Sequence, residues 1–164
     1  MILTNRKSQN QSRTADSRFA IVCARYNERY TDAMLGAALD TLAKAGASSR
    51  DGGTIRVVRV PGTFEIPVIA AQLARSGKFD AVIALGCILQ GKTDHARLIG
   101  ESVANALQTI AIETGVPCIF SVVTATNEKH ARERCLGKKH NRGIEAARTA
   151  IEMAAAIKGL WTDR

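Results

Sequence analysis

Aromatic residues are scarce in this chain, and long apolar runs are missing. Phe, Trp and Tyr together make up 4% of the 164 residues, too few for the stacking platforms that single-strand nucleic-acid binders use. No apolar run is long enough to span a membrane, and the chain turns polar directly after Met1-Ile2-Leu3, so no secretory signal is expected. We therefore expect neither nucleic acid nor a membrane as a partner.

Paired cysteines are also missing. The four cysteines are dispersed and form no C-x-x-C pair: Cys23, Cys87, Cys118 and Cys135. Three of them lie in or beside strand-like runs, where free thiols are commonly buried. Dispersed cysteines favour a reducing compartment over disulfides or a zinc site. The sequence thus predicts a cytoplasmic protein with free thiols.

What the chain does have is positive charge and enough apolar residues for one core. The formal net charge is +8 and 46% of the residues are hydrophobic, so acidic or phosphorylated ligands are favoured electrostatically. The length fits one domain, which we expect over residues 19–158. Residues 1–18 are expected to form a flexible polar arm, preferred over a basic arm for nucleic acid, and residues 159–164 a short tail.

Buried strands alternate with helical patterns along that domain. We predict strands over residues 19–24, 54–60, 79–85 and 116–123. Helices are expected from Thr31 or Asp32 to Ala45, from about Pro67 to Ser76, from Thr93 or Asp94 to Thr114, over a short stretch ending at Arg134, and from Arg142 to Lys158. This alternation predicts an α/β protein, a four-stranded parallel sheet covered on both faces by helices.

Most residues capable of chemistry follow the strands directly. They lie in the turns 25–27 and 61–65, in the stretch 86–95, and in the turn 124–127. Ligands of such sheets bind beyond the carboxyl ends of the strands, so these turns are expected to form one site.

The stretch from Gly86 to Thr93 is expected to form a loop that offers backbone N–H groups and a helix N-terminus to an anion. His95, in the first turn of that helix, is placed to move a proton on the same ligand. Two interpretations of His95 stay open, a proton carrier and an ordinary helix-start histidine. Tyr26 and Phe64 are likewise either core aromatics or rings that stack on a flat ligand.

The same stretch matches the pattern G-x-x-x-x-G-K-[ST], which predicts a nucleotide triphosphatase with Lys92 on the phosphates and Thr93 on magnesium. Its interior is bulky and apolar, and no predicted strand ends in the acidic residue that a magnesium site needs. A P-loop-type nucleotide-binding protein is therefore the alternative function.

Several segments together resemble the lumazine synthase (6,7-dimethyl-8-ribityllumazine synthase) family. The turn 60–67 (VPGTFEIP) resembles its VPGAFEIP signature, and residues 85–95 resemble its LGxxIxGxTxH segment. Residues 24–27 match its (G/A)RFN turn and 114–120 its TGVPVIF strand. Glu133-Arg134 and residues 141–147 correspond to its last segment.

The resemblance implies a flavodoxin-like three-layer sandwich and a transferase of riboflavin biosynthesis. Family members condense 5-amino-6-(D-ribitylamino)uracil with 3,4-dihydroxy-2-butanone 4-phosphate to 6,7-dimethyl-8-ribityllumazine. They assemble as homopentamers, in some cases as an icosahedral capsid of sixty subunits, with active sites at subunit interfaces. No metal or organic cofactor is implied, and riboflavin synthase is a candidate partner.

The resemblance also implies roles for individual residues. Tyr26, with Asn27 beside it, would stack on the uracil ring, and Cys87, Ile88 and Leu89 would line the ring site. Thr63, Phe64 and Glu65 would hold the ribityl chain. Gly91, Lys92 and Thr93 would bind phosphate, and His95 would transfer protons. Arg134, as a catalytic and phosphate-binding residue, and Phe120 would arrive from a neighbouring subunit.

Four features depart from the family pattern. Gln90 stands where the family often has Arg or Lys, and Lys92 where it often has Ala or Glu. Ala96 replaces an aromatic residue, and the loop 136–140 departs from the usual GTKxG. In this interpretation Lys92, rather than residue 90, supplies the basic group that contacts phosphate.

Overall fold

The computed structural model describes residues 17–48, 53–91 and 93–162. Within these ranges four strands form one parallel sheet: β1 (Phe19–Ala24), β2 (Ile55–Val60), β3 (Ala81–Leu89) and β4 (Cys118–Ala125). Their order is β2-β1-β3-β4. Every residue of β1 is buried, as expected for a central strand covered on both faces. The predicted four-stranded parallel sheet is confirmed.

Helices cover both faces of this sheet. They are α1 (Glu28–Lys44), α2 (Ile66–Arg75), α3 (His95–Thr114), α4 (Glu128–Cys135) and α5 (Arg142–Thr162), with a 3₁₀ turn at Thr63–Glu65. One core packs α1, α4 and α5 on the sheet, and the other packs α2 and α3 on the opposite face. None of the helices in the described ranges has the length and apolar character that crossing a membrane requires.

The predicted end of the third strand was wrong. We expected a loop from Gly86, but β3 continues to Leu89 because Gly86–Leu89 pair with Val122–Ala125 of β4. Pairing of β3 with β1 ends earlier, at Leu85 and Cys23. Residues 86–89, called the β3 overhang below, therefore carry the strand beyond its neighbour β1.

Helix boundaries agree with the sequence at some positions and differ at others. Pro67 lies in the first turn of α2 and Gly115 ends α3, both as predicted. The start of α1 was wrong by about one turn, because the helix begins at Glu28 after Asn27 rather than at Thr31 or Asp32. The last helix continues to Thr162 instead of ending at Lys158.

The strands begin at the edge of the sheet opposite the predicted site. At this edge Asp80 connects several elements. Its carboxylate accepts a hydrogen bond from the backbone N–H of Arg18 at 2.7 Å and pairs with Lys158 Nζ at 3.1 Å. Lys158 also donates to Ser17 Oγ at 3.0 Å. These contacts join the entry into β1 to α5 and to β3. Apart from Ser17 and Arg18, the predicted N-terminal arm lies outside the described residues.

Candidate active site

A cavity of about 920 Å³ opens beyond the carboxyl ends of β1, β2 and β3. Its volume lies in the range of small-molecule sites. It is lined by the turns after β1 and β2, the end of β3, the following loop and the first two turns of α3: Tyr26, Asn27, Gly62, Thr63, Phe64, Glu65, Cys87, Ile88, Leu89, Gly91, Thr93, His95, Ala96, Leu98, Ile99 and Ser102. The predicted site turns after β1, β2 and β3 thus meet at one edge of the sheet. The expectation that residues 124–127, after β4, would join them was wrong, because none of these residues lines this cavity.

Two aromatic rings flank this cavity and face solvent. Tyr26 is 74% exposed and Phe64 is 60% exposed. Exposure of this size excludes the interpretation that either ring belongs to the core. Both rings are placed to stack on a flat ligand entering from solvent.

The turn that carries Phe64 lies directly on β3. Thr63 is buried, and a Cβ at position 86 would lie 2.7 Å from Thr63 Oγ1. Glycine at position 86 therefore allows the turn to approach the strand, which is a common reason for glycine inside a strand. Glu65, which lines the cavity next to Phe64, is exposed, so its carboxylate is accessible to hydroxyl donors.

The β3 overhang forms the back wall of the cavity. Cys87 is buried there, and Ile88 and Leu89 are half-buried. The Asn27 amide Nδ2 donates to the Cys87 carbonyl oxygen at 2.8 Å. On the core side, a hydrogen bond from the Cys135 thiol lowers the pKa of Cys87. That bond, together with burial, raises the pKa of Cys135.

The N-terminus of α3 forms the other end of the cavity. His95 is the first residue of this helix and is exposed on the cavity side. Asp94 occupies the predicted cap position, but its side chain makes no cap hydrogen bond and accepts from Arg97 at 3.2 Å instead. The first turn of a 20-residue helix favours a bound anion through its N–H groups and its dipole.

Sequence reasoning missed part of the cavity wall. Leu98 and Ser102 follow His95 by three and seven residues, a spacing that places all three on one face of α3. That helical spacing could have identified them. The cavity residues not predicted as site residues are Gly62, Ala96, Leu98, Ile99 and Ser102.

Two predicted site residues lie away from this cavity. Phe120, on β4, is 37% exposed beside a separate cavity of about 390 Å³, which Gln90 and Arg97 also line. Arg134, on α4, pairs with Glu145 at 3.4 Å, and the same carboxylate binds Arg142 at 2.7 Å. The chain alone does not bring Phe120 and Arg134 to the other predicted residues. Lys92 lies outside the described residues.

The P-loop interpretation does not fit this geometry. Half of the predicted phosphate-wrapping loop, Gly86–Leu89, is extended strand bonded to β4. A nest of backbone N–H groups around a phosphate requires a turning loop at these positions.

Comparison with known proteins agrees with the geometry. Residues 16–158 match the model of the 6,7-dimethyl-8-ribityllumazine synthase family. The chain is 43% identical over 143 residues to 6,7-dimethyl-8-ribityllumazine synthase of Desulfotalea psychrophila, covering 87% of this chain and 90% of that protein. It is 44% identical over 141 residues to the chloroplastic 6,7-dimethyl-8-ribityllumazine synthase of Arabidopsis thaliana, covering 86% of this chain and 61% of the longer plant protein. Nothing in the fold or in these matches supports a nucleotide triphosphatase.

Proposed function

The chain belongs to the 6,7-dimethyl-8-ribityllumazine synthase family, and from that membership we propose its reaction. It condenses 5-amino-6-(D-ribitylamino)uracil with 3,4-dihydroxy-2-butanone 4-phosphate, releases phosphate and water, and forms 6,7-dimethyl-8-ribityllumazine in riboflavin biosynthesis. The observation that carries this proposal is the family match over residues 16–158. The cavity supports it because three of the family-like segments meet there.

The uracil substrate binds between the rings of Tyr26 and Phe64 and the β3 overhang. Tyr26 stacks on the pyrimidine ring, and Cys87, Ile88 and Leu89 line its edge. Thr63, Phe64 and Glu65 hold the ribityl chain, with the carboxylate of Glu65 accepting hydrogen bonds from the hydroxyl groups. The exposure of Tyr26 and the accessible carboxylate support these roles.

The butanone phosphate binds at the other end, near the N-terminus of α3. Gly91 and Thr93 border the cavity there, and the helix dipole favours the phosphate group. Lys92 and a neighbour's Arg134 add positive charge to the same site.

The reaction needs several proton transfers but no redox step. The 5-amino group attacks the ketone carbon, and loss of water gives an imine. Elimination then breaks the C–O bond to phosphate. The enol that elimination leaves at C3 and C4 tautomerises, so that C3 becomes a carbonyl carbon and C4 a methyl group. The ribitylamino nitrogen then attacks this new carbonyl carbon, and a second dehydration closes the ring. His95 transfers protons in these steps, while the cavity contributes most by holding both reactants together.

The active enzyme is a homopentamer, with each site shared between neighbours. The position of Phe120 and Arg134 supports this proposal, since in their own chain both lie apart from the cavity. Five-fold rings could pack further into a sixty-subunit icosahedral capsid, and riboflavin synthase is the proposed macromolecular partner. A cytoplasmic location is supported by the four free cysteines, although the plant relative's name assigns that protein to the chloroplast.

A direct assay tests the reaction. Purified protein is mixed with both substrates in the absence of metal ions, and lumazine fluorescence is followed against heat-inactivated protein as the uncatalysed background. We expect product well above that background. A folded oligomer that forms no product would overturn the proposed reaction.

A further inference from the structure

We propose that Asn27 is a positioning residue that sets the width of the uracil-ring site, an inference that rests on the proposed function. Its backbone orients Tyr26, on one side of the cavity, and its side chain holds the β3 overhang on the other. Direct contact between Asn27 and substrate is not needed for this role.

The backbone of Asn27 adopts a left-handed conformation. Its φ and ψ are 59° and 44°, and among the residues that the structure describes it is the one non-glycine residue with positive φ. Asparagine tolerates this conformation better than most residues. The chain thereby turns sharply between Tyr26, whose N–H donates to the Pro61 carbonyl at 3.0 Å, and the first residue of α1.

The side chain of Asn27 does not do what its position predicts. An asparagine before a helix usually caps it by accepting a backbone N–H, but no such bond forms here. The amide instead donates to the Cys87 carbonyl at 2.8 Å, 60 residues along the chain. The bond lies past Leu85, where the pairing between β1 and β3 has ended.

One hydrogen bond therefore joins two walls of the ring site. Tyr26 precedes Asn27 directly, and Cys87 lies in the overhang whose next two residues also line the cavity. Gly91 and Thr93, where the phosphate is proposed to bind, follow the overhang along the chain, and neither has a hydrogen bond to Asn27 among those of the described residues. Loss of the amide should therefore weaken binding of the uracil substrate much more than binding of the butanone phosphate.

Two substitutions separate the amide from the backbone conformation. Asn27→Gly keeps positive φ without steric cost but removes the amide. Asn27→Asp keeps the side-chain shape but replaces the donor with an oxygen that cannot donate to the Cys87 carbonyl. For both variants we expect the KM for the uracil substrate to rise about tenfold, as loss of one hydrogen bond predicts. The KM for butanone phosphate should stay within about twofold of wild type because its site is untouched.

The control is Asp80→Ala, which removes the bonds of the Asp80 carboxylate to the Arg18 N–H and to Lys158 at the opposite edge of the sheet. It should lower the melting temperature and leave both KM values unchanged, which separates general loss of stability from misplacement of the ring site. Fluorescence titration with the lumazine product should show about tenfold weaker binding in the Asn27 variants and wild-type binding in Asp80→Ala.

The outcomes are distinguishable. If wild type forms no product, the proposed reaction fails and the role of Asn27 fails with it. If wild type is active and both Asn27 variants keep the wild-type KM for the uracil substrate, only the positioning role is overturned. An equal rise of both KM values would also overturn it, because that result indicates a general structural defect.

Discussion

At the scale of single residues, His95 is the titratable side chain best placed for proton transfer. It begins α3, faces the cavity and is exposed to solvent. An exposed imidazole can exchange protons with water between steps. Water can partly replace such a group, so its loss should slow the reaction without stopping it.

We therefore expect His95→Ala to lower kcat by about 10²-fold, the lower end for general acid–base catalysis, with little change in either KM. Steady-state kinetics with both substrates measures this effect. His140→Ala is the matched control, since His140 is exposed in the loop before α5 and should leave kcat unchanged. An inactive His95→Ala enzyme that still folds and binds both substrates would contradict this view.

Individual site residues could be predicted where strand ends alone decide their position. Tyr26 and Phe64 follow strands directly, and parallel strands end at one edge of the sheet, so their meeting was foreseeable. The bond from Asn27 to the Cys87 carbonyl was not foreseeable, because an asparagine before a helix is expected to cap it. Strand ends say nothing about Phe120 and Arg134, which lie apart from the cavity in their own chain; only the family resemblance assigns them to a neighbouring subunit.

At the scale of secondary-structure elements, the end of β3 shows where sequence patterns mislead. Gly86 suggests the start of a loop, yet the strand continues through it. The deciding contacts are distant in sequence, namely the pairing with β4 and the close approach of Thr63. The alternation of strands and helices was predictable because β1 and β3 are short apolar runs between helical patterns, whereas the strand ends depended on these partners.

Gly86→Ala tests the contact between the 3₁₀ turn and β3. The added methyl group would lie 2.7 Å from Thr63 Oγ1, so the turn carrying Phe64 and Glu65 must move. We expect the free energy of unfolding to fall by about 1–3 kcal/mol, as overpacking of a buried site does, and the KM for the uracil substrate to rise. Chemical denaturation and steady-state kinetics measure these two effects.

Gly36→Ala provides the comparison for this variant. Position 36 lies within α1, and a Cβ there would have no neighbour within 4 Å. Alanine should raise the free energy of unfolding by about 0.5–1 kcal/mol through its better helix propensity. If Gly86→Ala were as stable and active as wild type, the close approach of the turn would not matter for the site.

At the scale of the whole molecule, the proposed assembly would complete the cavity. Within one chain, the cavity and the Arg134 side chain belong to different surfaces, and Arg134 is paired with Glu145. A shared site requires a neighbour to bring Arg134 to the cavity, whereas a site within one chain would need Arg134 to move.

Mixed oligomers distinguish these two cases. Glu65→Ala and Arg134→Ala should each lower activity strongly when assembled alone. After the two are unfolded together and refolded, about a quarter of the sites should regain both wild-type halves, as random assembly in a cyclic oligomer gives. Activity should then exceed the average of the two variants, whereas mixing the intact oligomers should give only that average. Equal activities in the two mixtures would indicate that each chain forms its own site.

The β3 overhang has a consequence for the motions of the protein. The strand is paired on both sides as far as Leu85, but residues 86–89 keep a strand partner only in β4. Segments with fewer partners open locally at a lower free energy than global unfolding. The end of β3 is therefore the part of this strand that opens at the lowest free energy. This end forms the back wall of the cavity. Such motions would open a path for a planar molecule while the part of β3 that is paired with β1, residues 81–85, stays in place.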